Sequence, residues 1–259
     1  MVQEAPGTIF GNYVYNGLKN RVRIAVGHNY GDKTADHFMD MLDRLIKEEG
    51  FTLEYIQSRR FSMDHCGLYP RPDQLPRMKK FGIMLSCGSN ILTRSYPWIQ
   101  KYGMQYADWL SPVKTALDAG VKVVFESEEG VDDGLFAAFV PFITRKNETG
   151  DIVSLQNAVD RSIVMKMATS WSAEFALRED KIGTLKEGKW ADFLVLNKDY
   201  FTVPVEEIGT VYPLITVVGG VIRYVRSDQA KEFGLQPVGE QLRFTWEGGA
   251  RPPRRGDGQ

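Results

Sequence analysis

Two histidines, His28 and His65, stand in the sequence where a metal ion could be bound. His28 follows a strand-like apolar segment at residues 22–27, and His65 follows a mixed polar and apolar segment at residues 59–64. Side chains just beyond the carboxyl ends of parallel barrel strands line active sites, and imidazoles from adjacent strands can converge on one zinc ion. The pair could therefore act as ligands of one divalent metal.

Each histidine also has a simpler interpretation. His28 could be a turn residue that hydrogen-bonds its own loop, and His65 could be a surface residue beside the carboxylate of Asp64. The third histidine, His37, falls within a helical segment at residues 33–49 and is expected on the helix surface.

Strand-like and helical segments alternate over the first two-thirds of the chain, which predicts parallel βα units. A (β/α)8 barrel takes roughly 30 residues per unit, so the 37 residues between His28 and His65 correspond to one unit. About four such strands fit, which is half a barrel. The predicted strands are residues 22–27, 59–64, 81–87 and 121–125, and the predicted helices are residues 33–49, 73–80, 106–119 and 154–176, the last with Ser154 as its N-cap.

After residue 179 the pattern changes to short strands, among them residues 193–196 and a hairpin at Gly219-Gly220. The tail from about residue 248 has the composition of a disordered end. We therefore predict two domains, a partial (β/α) barrel over residues 1–178 and a C-terminal β-domain segment over residues 179–259.

Three strings resemble signatures of amidohydrolases. Residues 182–196, IGTLKEGKWADFLVL, resemble the string that leaves the barrel and enters the small β-domain of these proteins. Residues 28–32, HNYGD, resemble the H-x-x-G-D string after the fifth barrel strand, and residues 60–65, RFSMDH, resemble the R-x-x-I-E-H string at the end of the sixth. Because the three strings occur along the chain in the family's order, the chain is similar to amidohydrolase family 3, the branch that includes N-substituted formamide deformylases.

The resemblance implies an α/β chain that corresponds to barrel strands 5–8, followed by the C-terminal strands of a small β-sandwich domain. It also implies that His28 and His65 bind a catalytic divalent metal, with Zn²⁺ as the expected ion. The implied activity is hydrolysis of the C–N bond of a small amide-like substrate by metal-activated water.

The family places a catalytic Asp after its eighth strand, usually in a G-S-D string. Here the strand at residues 121–125 leads into the acidic run Glu126-Ser127-Glu128-Glu129. Alignment on Ser127 puts Glu128 at the position of the Asp, where its carboxylate would be the general base. The alternative is that this run is an ordinary solvated acidic loop.

The resemblance covers only the C-terminal half of the family's architecture. With histidines only at positions 28, 37 and 65, the H-x-H pair that follows the family's first strand has no counterpart. A half-barrel would leave open edges near residues 22–27 and 121–125 and an uncovered apolar inner face. We therefore expect the missing half to come from a separate N-terminal half-barrel polypeptide, from a second copy of the chain, or from the rest of a longer gene of which this sequence is a fragment. The separate polypeptide and the fragment are favoured over the second copy.

Two functions remain open on this basis. The chain is either the C-terminal part of a metal-dependent amidohydrolase or a catalytically inactive relative that serves as an interaction or scaffold subunit. The missing ligands and the Glu at position 128 motivate the second hypothesis.

The composition of the chain indicates which kinds of partner and compartment to expect. With 32 basic and 33 acidic residues the net charge is −1, so we expect neither nucleic acid nor an anionic membrane as partner. The N-terminus lacks a basic region followed by an apolar one, so no secretory signal is expected. Cys66 and Cys87 are the only cysteines and do not make a disulfide framework, which favours a reducing compartment and hence the cytoplasm.

Overall fold

The computed structural model describes residues 5, 7–25, 27–29, 31–127, 134–241 and 243–247. These residues form two compact units. The first takes the described part of Met1–Glu126 together with Pro141–Leu177, and the second takes the described part of Ser127–Val140 and of Arg178–Gln259. The prediction that residues 1–178 and 179–259 are separate folding domains stays a prediction.

The first unit contains a three-stranded parallel sheet in the order β1 (Ser62–Met63), β2 (Met84–Gly88) and β3 (Val123–Glu126). The register pairs Met63 with Leu85 across β1 and β2, and Gly88 with Glu126 across β2 and β3. Because all three strands run in the same direction, their carboxyl ends meet at one edge of the sheet. This edge collects the polar residues of the candidate site.

Helices follow or precede these strands in the alternation that the sequence predicts. Their bounds are α1 (Ile9–Lys19), α2 (Asp32–Glu49), α3 (Leu53–Arg59), α4 (Leu75–Phe81), α5 (Asn90–Thr93), α6 (Ser95–Tyr102), α7 (Val113–Asp118), α8 (Val140–Thr144), α9 (Arg161–Ala168) and α10 (Ser170–Phe175). Helix α2 confirms the predicted helix, because Phe38, Leu42 and Leu45 recur at helical spacing and are buried. It ends at Gly50, whose φ of 69° is the left-handed conformation usual after a helix.

The predicted strand over residues 22–27 is wrong for the part of it that the structure describes, since residues 22–25 and 27 lie in no strand. The Arg23 guanidinium instead donates to the carbonyls of Arg59 and Arg60 at 2.7 and 3.1 Å. One backbone bond, from Asp64 N–H to Gly27 O at 3.2 Å, brings this segment beside the end of β1.

The predicted long helix over residues 154–176 is also wrong. Ser154 has a φ of 56° and precedes only a short 3₁₀ helix, Leu155–Asn157. Its hydroxyl donates to Asp108 Oδ1 at 2.6 Å and makes no capping hydrogen bond. Helix α9 begins after Asp160, whose carboxylate accepts the N–H of Ser162, and the helical run breaks at Thr169 before α10. The residue that caps the helix is therefore Asp160, six residues after the predicted N-cap Ser154.

The predicted helix over residues 106–119 is interrupted in the same way. A 3₁₀ helix spans Met104–Trp109, and α7 begins only after Pro112. Proline has no N–H to continue a helical ladder, so it separates the two segments.

Cys66 and Cys87 form a disulfide, with their Cα atoms 5.0 Å apart. The argument for a reducing compartment, which rested on the cysteine count, is therefore wrong, and the cytoplasmic location stays a prediction without that support. Among the described residues, no helix combines the length and apolar character needed to cross a bilayer.

All residues of β1 and β2, and the first two of β3, are buried. The expectation of an uncovered apolar inner face is therefore wrong at the strands themselves, because other parts of the chain already cover them. Within the described residues, the outer strands of this sheet are β1 and β3. The first unit confirms a mixed α/β fold with a parallel sheet, and the half-barrel stays a prediction.

The second unit contains an antiparallel sheet in the order β4 (Phe193–Leu196), β5 (Pro213–Val218) and β6 (Val221–Val225). The predicted hairpin is confirmed, because Gly219 and Gly220 link β5 to β6. Their φ values of 59° and 76° are ones that residues with a side chain rarely adopt. Ile215, Val217 and Val225 of this sheet are buried and form one core cluster with Ala230, the first residue of the 3₁₀ helix Ala230–Phe233. The β-sandwich stays a prediction, and the tail from residue 248 lies outside the described residues.

The cap of α9 predicts a measurable loss of stability. Asp160→Ala removes the acceptor for Ser162 N–H and should lower the free energy of unfolding by about 1 kcal/mol. Hydrogen bonds from Ser162 lower the pKa of Asp160, so its contribution is present at neutral pH and should be lost as pH falls below about 4. Urea unfolding at pH 7 and pH 3 measures both effects.

Asp160→Asn is the matched control, since its side-chain oxygen can still accept the hydrogen bond. Equal stability of Asp160→Ala and the wild type at pH 7 would show that the cap contributes nothing.

Candidate metal centre

The site lies at the carboxyl edge of the parallel sheet. His65 comes two residues after β1, Ser86 lies in β2, and Glu126 is the last residue of β3. Asp64 directly precedes His65, and His28 lies in the segment that is bonded to Asp64 through Gly27. The parallel register therefore brings together side chains that are far apart in the sequence.

The two predicted ligands meet. His65 Nε2 lies 2.9 Å from His28 Nδ1, and the two rings pack edge to face with centroids 4.4 Å apart. Two nitrogens bound to one tetrahedral zinc at about 2.0 Å each would be about 3.3 Å apart. His65 is buried and His28 is exposed, so the pair faces outward through His28.

Asp64 is a third possible ligand, which the sequence did not single out as one. One donor atom each from His28, Asp64 and His65 lies within 4.8 Å of the other two. The Asp64 carboxylate is buried, accepts the N–H of Asn29 at 2.8 Å and lies 3.5 Å from His65 Nε2. Burial raises the pKa of Asp64, while a positive charge on His65 would lower it. A carboxylate directly before a histidine at a strand end was the signal available in the sequence.

Glu126 orients His65. Its Oε1 lies 2.6 Å from His65 Nδ1, and its Oε2 accepts the backbone N–H of His65 and the hydroxyl of Ser86, both at 3.0 Å. A carboxylate that accepts Nδ1–H leaves the lone pair on Nε2, the atom that faces His28. From the sequence, Glu126 was interpreted only as part of a solvated acidic loop, because the predicted strand ended one residue before it.

Small residues at the end of β2 make room for this contact. Glu126 ends β3 and His65 follows β1, the two strands that flank β2. Adjacent strands lie about 4.8 Å apart, so the two side chains meet across the end of β2. A Cβ placed on Gly88 would lie 2.2 Å from Asn90 Oδ1 and 3.5 Å from Glu126 Oε1. A side chain at position 88 would therefore collide with Asn90, while its Cβ would be in ordinary van der Waals contact with Glu126.

The turn that carries His65 has an uncommon backbone. His65 and Cys66 have φ values of 68° and 52°, a conformation that costs non-glycine residues of order 1–3 kcal/mol each. Cys66 N–H donates to Asp64 O at 2.9 Å, and the buried Tyr69 hydroxyl donates to the same carbonyl. Burial raises the pKa of Tyr69 well above its usual value, so it remains a hydroxyl donor at neutral pH.

Two residues that the sequence analysis considered remain, Glu128 and His37. Glu128, the predicted general base, lies outside the described residues, and its role stays a prediction. His37 lies within α2, as expected, and is half-buried.

The donor set fits a divalent metal. Two imidazoles and one carboxylate are a combination found in catalytic zinc sites, where a fourth position is kept for water or substrate. The same donors suit other first-row metals, so the residues alone do not select zinc.

Sequence comparison finds related proteins. A sequence model of the amidohydrolase family matches residues 7–224. An N-substituted formamide deformylase from Arthrobacter pascens is 30% identical over 119 residues, which are 46% of this chain and 22% of that protein.

Solved structures show a related fold. An uncharacterized metal-dependent hydrolase from Pyrococcus horikoshii OT3 superimposes with a TM-score of 0.56 and 23% identity, over 70% of this chain and 35% of that one. An amidohydrolase from Thermotoga maritima MSB8 gives a TM-score of 0.53 and 18% identity, over 86% and 49% of the two chains. The matched part of this chain thus covers less than half of each of these proteins.

The contact between Glu126 and His65 predicts that Glu126→Gln weakens metal binding. The amide cannot accept both N–H groups of His65 and the Ser86 hydroxyl as the carboxylate does, so zinc affinity should fall about 10–100-fold. Competition with a chromophoric chelator measures this affinity.

Glu48→Gln in α2 removes the same charge from an exposed ion pair with Arg44 and should leave zinc affinity unchanged. A Glu126→Gln variant that binds zinc as tightly as the wild type would contradict the orienting role.

Proposed function

This chain belongs to the amidohydrolase family, and we propose that it is the C-terminal, metal-holding part of a metal-dependent hydrolase that cleaves an amide-like C–N bond. The observation that carries the proposal is the convergence of His28, Asp64 and His65, whose donor atoms lie within 4.8 Å of one another at the carboxyl edge of the sheet. In barrel enzymes this edge is the catalytic one.

His28 Nδ1, His65 Nε2 and the Asp64 carboxylate are the atoms that would hold the ion. A bound divalent metal supplies Lewis acidity and lowers the pKa of water to about 7. Zn²⁺ is our first candidate, because the donors are nitrogen and oxygen and the chemistry is hydrolytic.

The chain's own residues supply orientation and proton transfer. Glu126 binds Nδ1 of the His65 ring, so that Nε2 is the ring nitrogen left to bind the ion. We assign to Glu128 the removal of a proton from the attacking water and its delivery to the leaving nitrogen, a role for which a carboxylate near the nucleophile is suited. This assignment rests on the alignment of Ser127 with the family's G-S-D string.

By its resemblance to the family, this site lacks the ligands that the N-terminal half supplies, and the matched part of this chain covers less than half of each protein compared above. We propose that this chain corresponds to barrel strands 5–8 and to the C-terminal strands of the small β-sandwich. The remaining ligands would come from an N-terminal half-barrel, encoded in the same gene or as a separate polypeptide. A second copy of this chain is the less favoured completion, because it would duplicate the present ligands and would not supply an H-x-H pair.

N-substituted formamides are the first substrates to test, since the relative from Arthrobacter pascens is named for their deformylation. The chain should be mixed with the N-terminal half of that relative, and release of formate and amine measured. Hydrolysis above the level of either half alone, and its loss in Glu128→Gln, supports the enzyme. If the mixture binds zinc but shows no gain in activity, the result favours the alternative function, an inactive scaffold subunit.

Metal binding by the isolated chain can be tested without a partner polypeptide. The wild type should bind one zinc ion, and His65→Ala or His28→Ala should weaken binding at least 100-fold, because each removes one of three donors. Metal analysis after gel filtration and chelator competition measure stoichiometry and affinity.

His37→Ala is the matched control, since it removes an imidazole that lies within α2 and outside the cluster. Zinc retained at full stoichiometry in both His28→Ala and His65→Ala would refute the proposed centre.

A further inference from the structure

A disulfide lies directly behind the candidate metal centre. Cys66 follows His65 in the turn after β1, and Cys87 lies in β2, where it is paired in register with Phe125 of β3. Both cysteine side chains are fully buried. The cross-link therefore ties the turn that bears one candidate ligand to the central strand of the sheet.

Adjacent residues of β2 act on both partners of the His65–Glu126 contact. Ser86 donates its hydroxyl to Glu126 Oε2 at 3.0 Å, and Cys87 is bonded to Cys66, the neighbour of His65. One short piece of strand thus positions the carboxylate through a hydrogen bond and the imidazole through a covalent bond.

The turn needs such an attachment because its backbone is unfavourable. His65 and Cys66 are consecutive non-glycine residues with positive φ, and this arrangement persists only where surrounding structure imposes it. On its other side the turn is held by one backbone bond, from Ser111 N–H to Cys66 O at 2.8 Å.

Ser111 is itself firmly anchored. Its hydroxyl donates to Gly88 O at 3.1 Å, and the buried Arg145 guanidinium donates to Ser111 O at 2.9 Å and to Leu110 O at 2.8 Å. The turn is therefore fixed between a rigid segment and a strand, and the disulfide is its only covalent attachment to that strand within the described residues.

We propose that the Cys66–Cys87 disulfide is a positioning device for the metal centre. By holding the turn, it keeps His65 Nδ1 against Glu126 and His65 Nε2 toward His28, which lowers the reorganisation needed to bind an ion. The inference rests on the proposed metal-binding function, and it assigns to the two cysteines a role that acts through His65.

The test compares the wild type with the double variant Cys66→Ala/Cys87→Ala, which removes the bond without leaving thiols that could bind metal. Zinc affinity should fall at least about tenfold, as for other groups that orient a ligand. A second readout needs no metal: the proton shared by His65 Nδ1 and Glu126 should give a downfield NMR resonance in the wild type and should broaden or disappear in the variant.

Two controls separate positioning from a general loss of stability. Ile56→Val trims a buried residue of α3 and should lower the melting temperature without changing zinc affinity or the resonance. Asp160→Ala removes the side-chain cap of α9, which is not part of the His65 turn, and it should lower stability while leaving both readouts close to wild type.

Unchanged zinc affinity and an unchanged His65 resonance in the folded double variant would overturn the proposal. If the alanine pair does not fold, Cys66→Ser/Cys87→Ser replaces it, and failure of both to fold would show that the bond serves the whole fold and not the site. If the wild type itself binds no zinc, the proposed function fails, while the resonance still decides whether the disulfide positions His65.

Discussion

The site depends on one contact, the 2.6 Å hydrogen bond between His65 Nδ1 and Glu126 Oε1. It joins the ends of the two outer strands of the parallel sheet, across a central strand that ends in small residues. Because the imidazole is buried, the contact is strengthened by the low dielectric and selects a single ring orientation. Without it, the His65 ring would lose the contact that holds Nε2 toward His28 and Asp64.

The cost of this arrangement explains the structure around it. Two carboxylates and two imidazoles crowd one end of the sheet, and burial raises the pKa of Asp64. Groups buried in this way are stabilised by hydrogen bonds or by an ion of opposite charge. The Asn29 N–H and the Ser86 hydroxyl supply hydrogen bonds to the carboxylates of Asp64 and Glu126, and a divalent cation would supply the charge. The disulfide and the Ser111 segment hold the backbone in a conformation that it would otherwise leave.

Local sequence pattern predicted the parts of this molecule that local physics determines. Helix α2, strands β2 and β3 and the Gly219-Gly220 hairpin follow from hydrophobic period and turn chemistry. The pairing of His28 with His65 followed from their spacing and from the resemblance to amidohydrolases. Asp64 and Glu126 were missed as site residues, because their roles depend on strand register, which no single segment specifies. The cysteine pair was missed for the same reason, since two residues 21 apart in sequence meet only through the pairing of the turn with β2.

The central claim is that two imidazoles of this chain bind one metal ion. X-ray absorption at the zinc K-edge, on chain loaded with one equivalent of zinc, tests it most directly. The account predicts two imidazole nitrogens at about 2.0–2.1 Å, with their outer-ring scattering, and oxygen in the remaining positions. Sulfur at about 2.3 Å, or a shell without imidazole scattering, would contradict it.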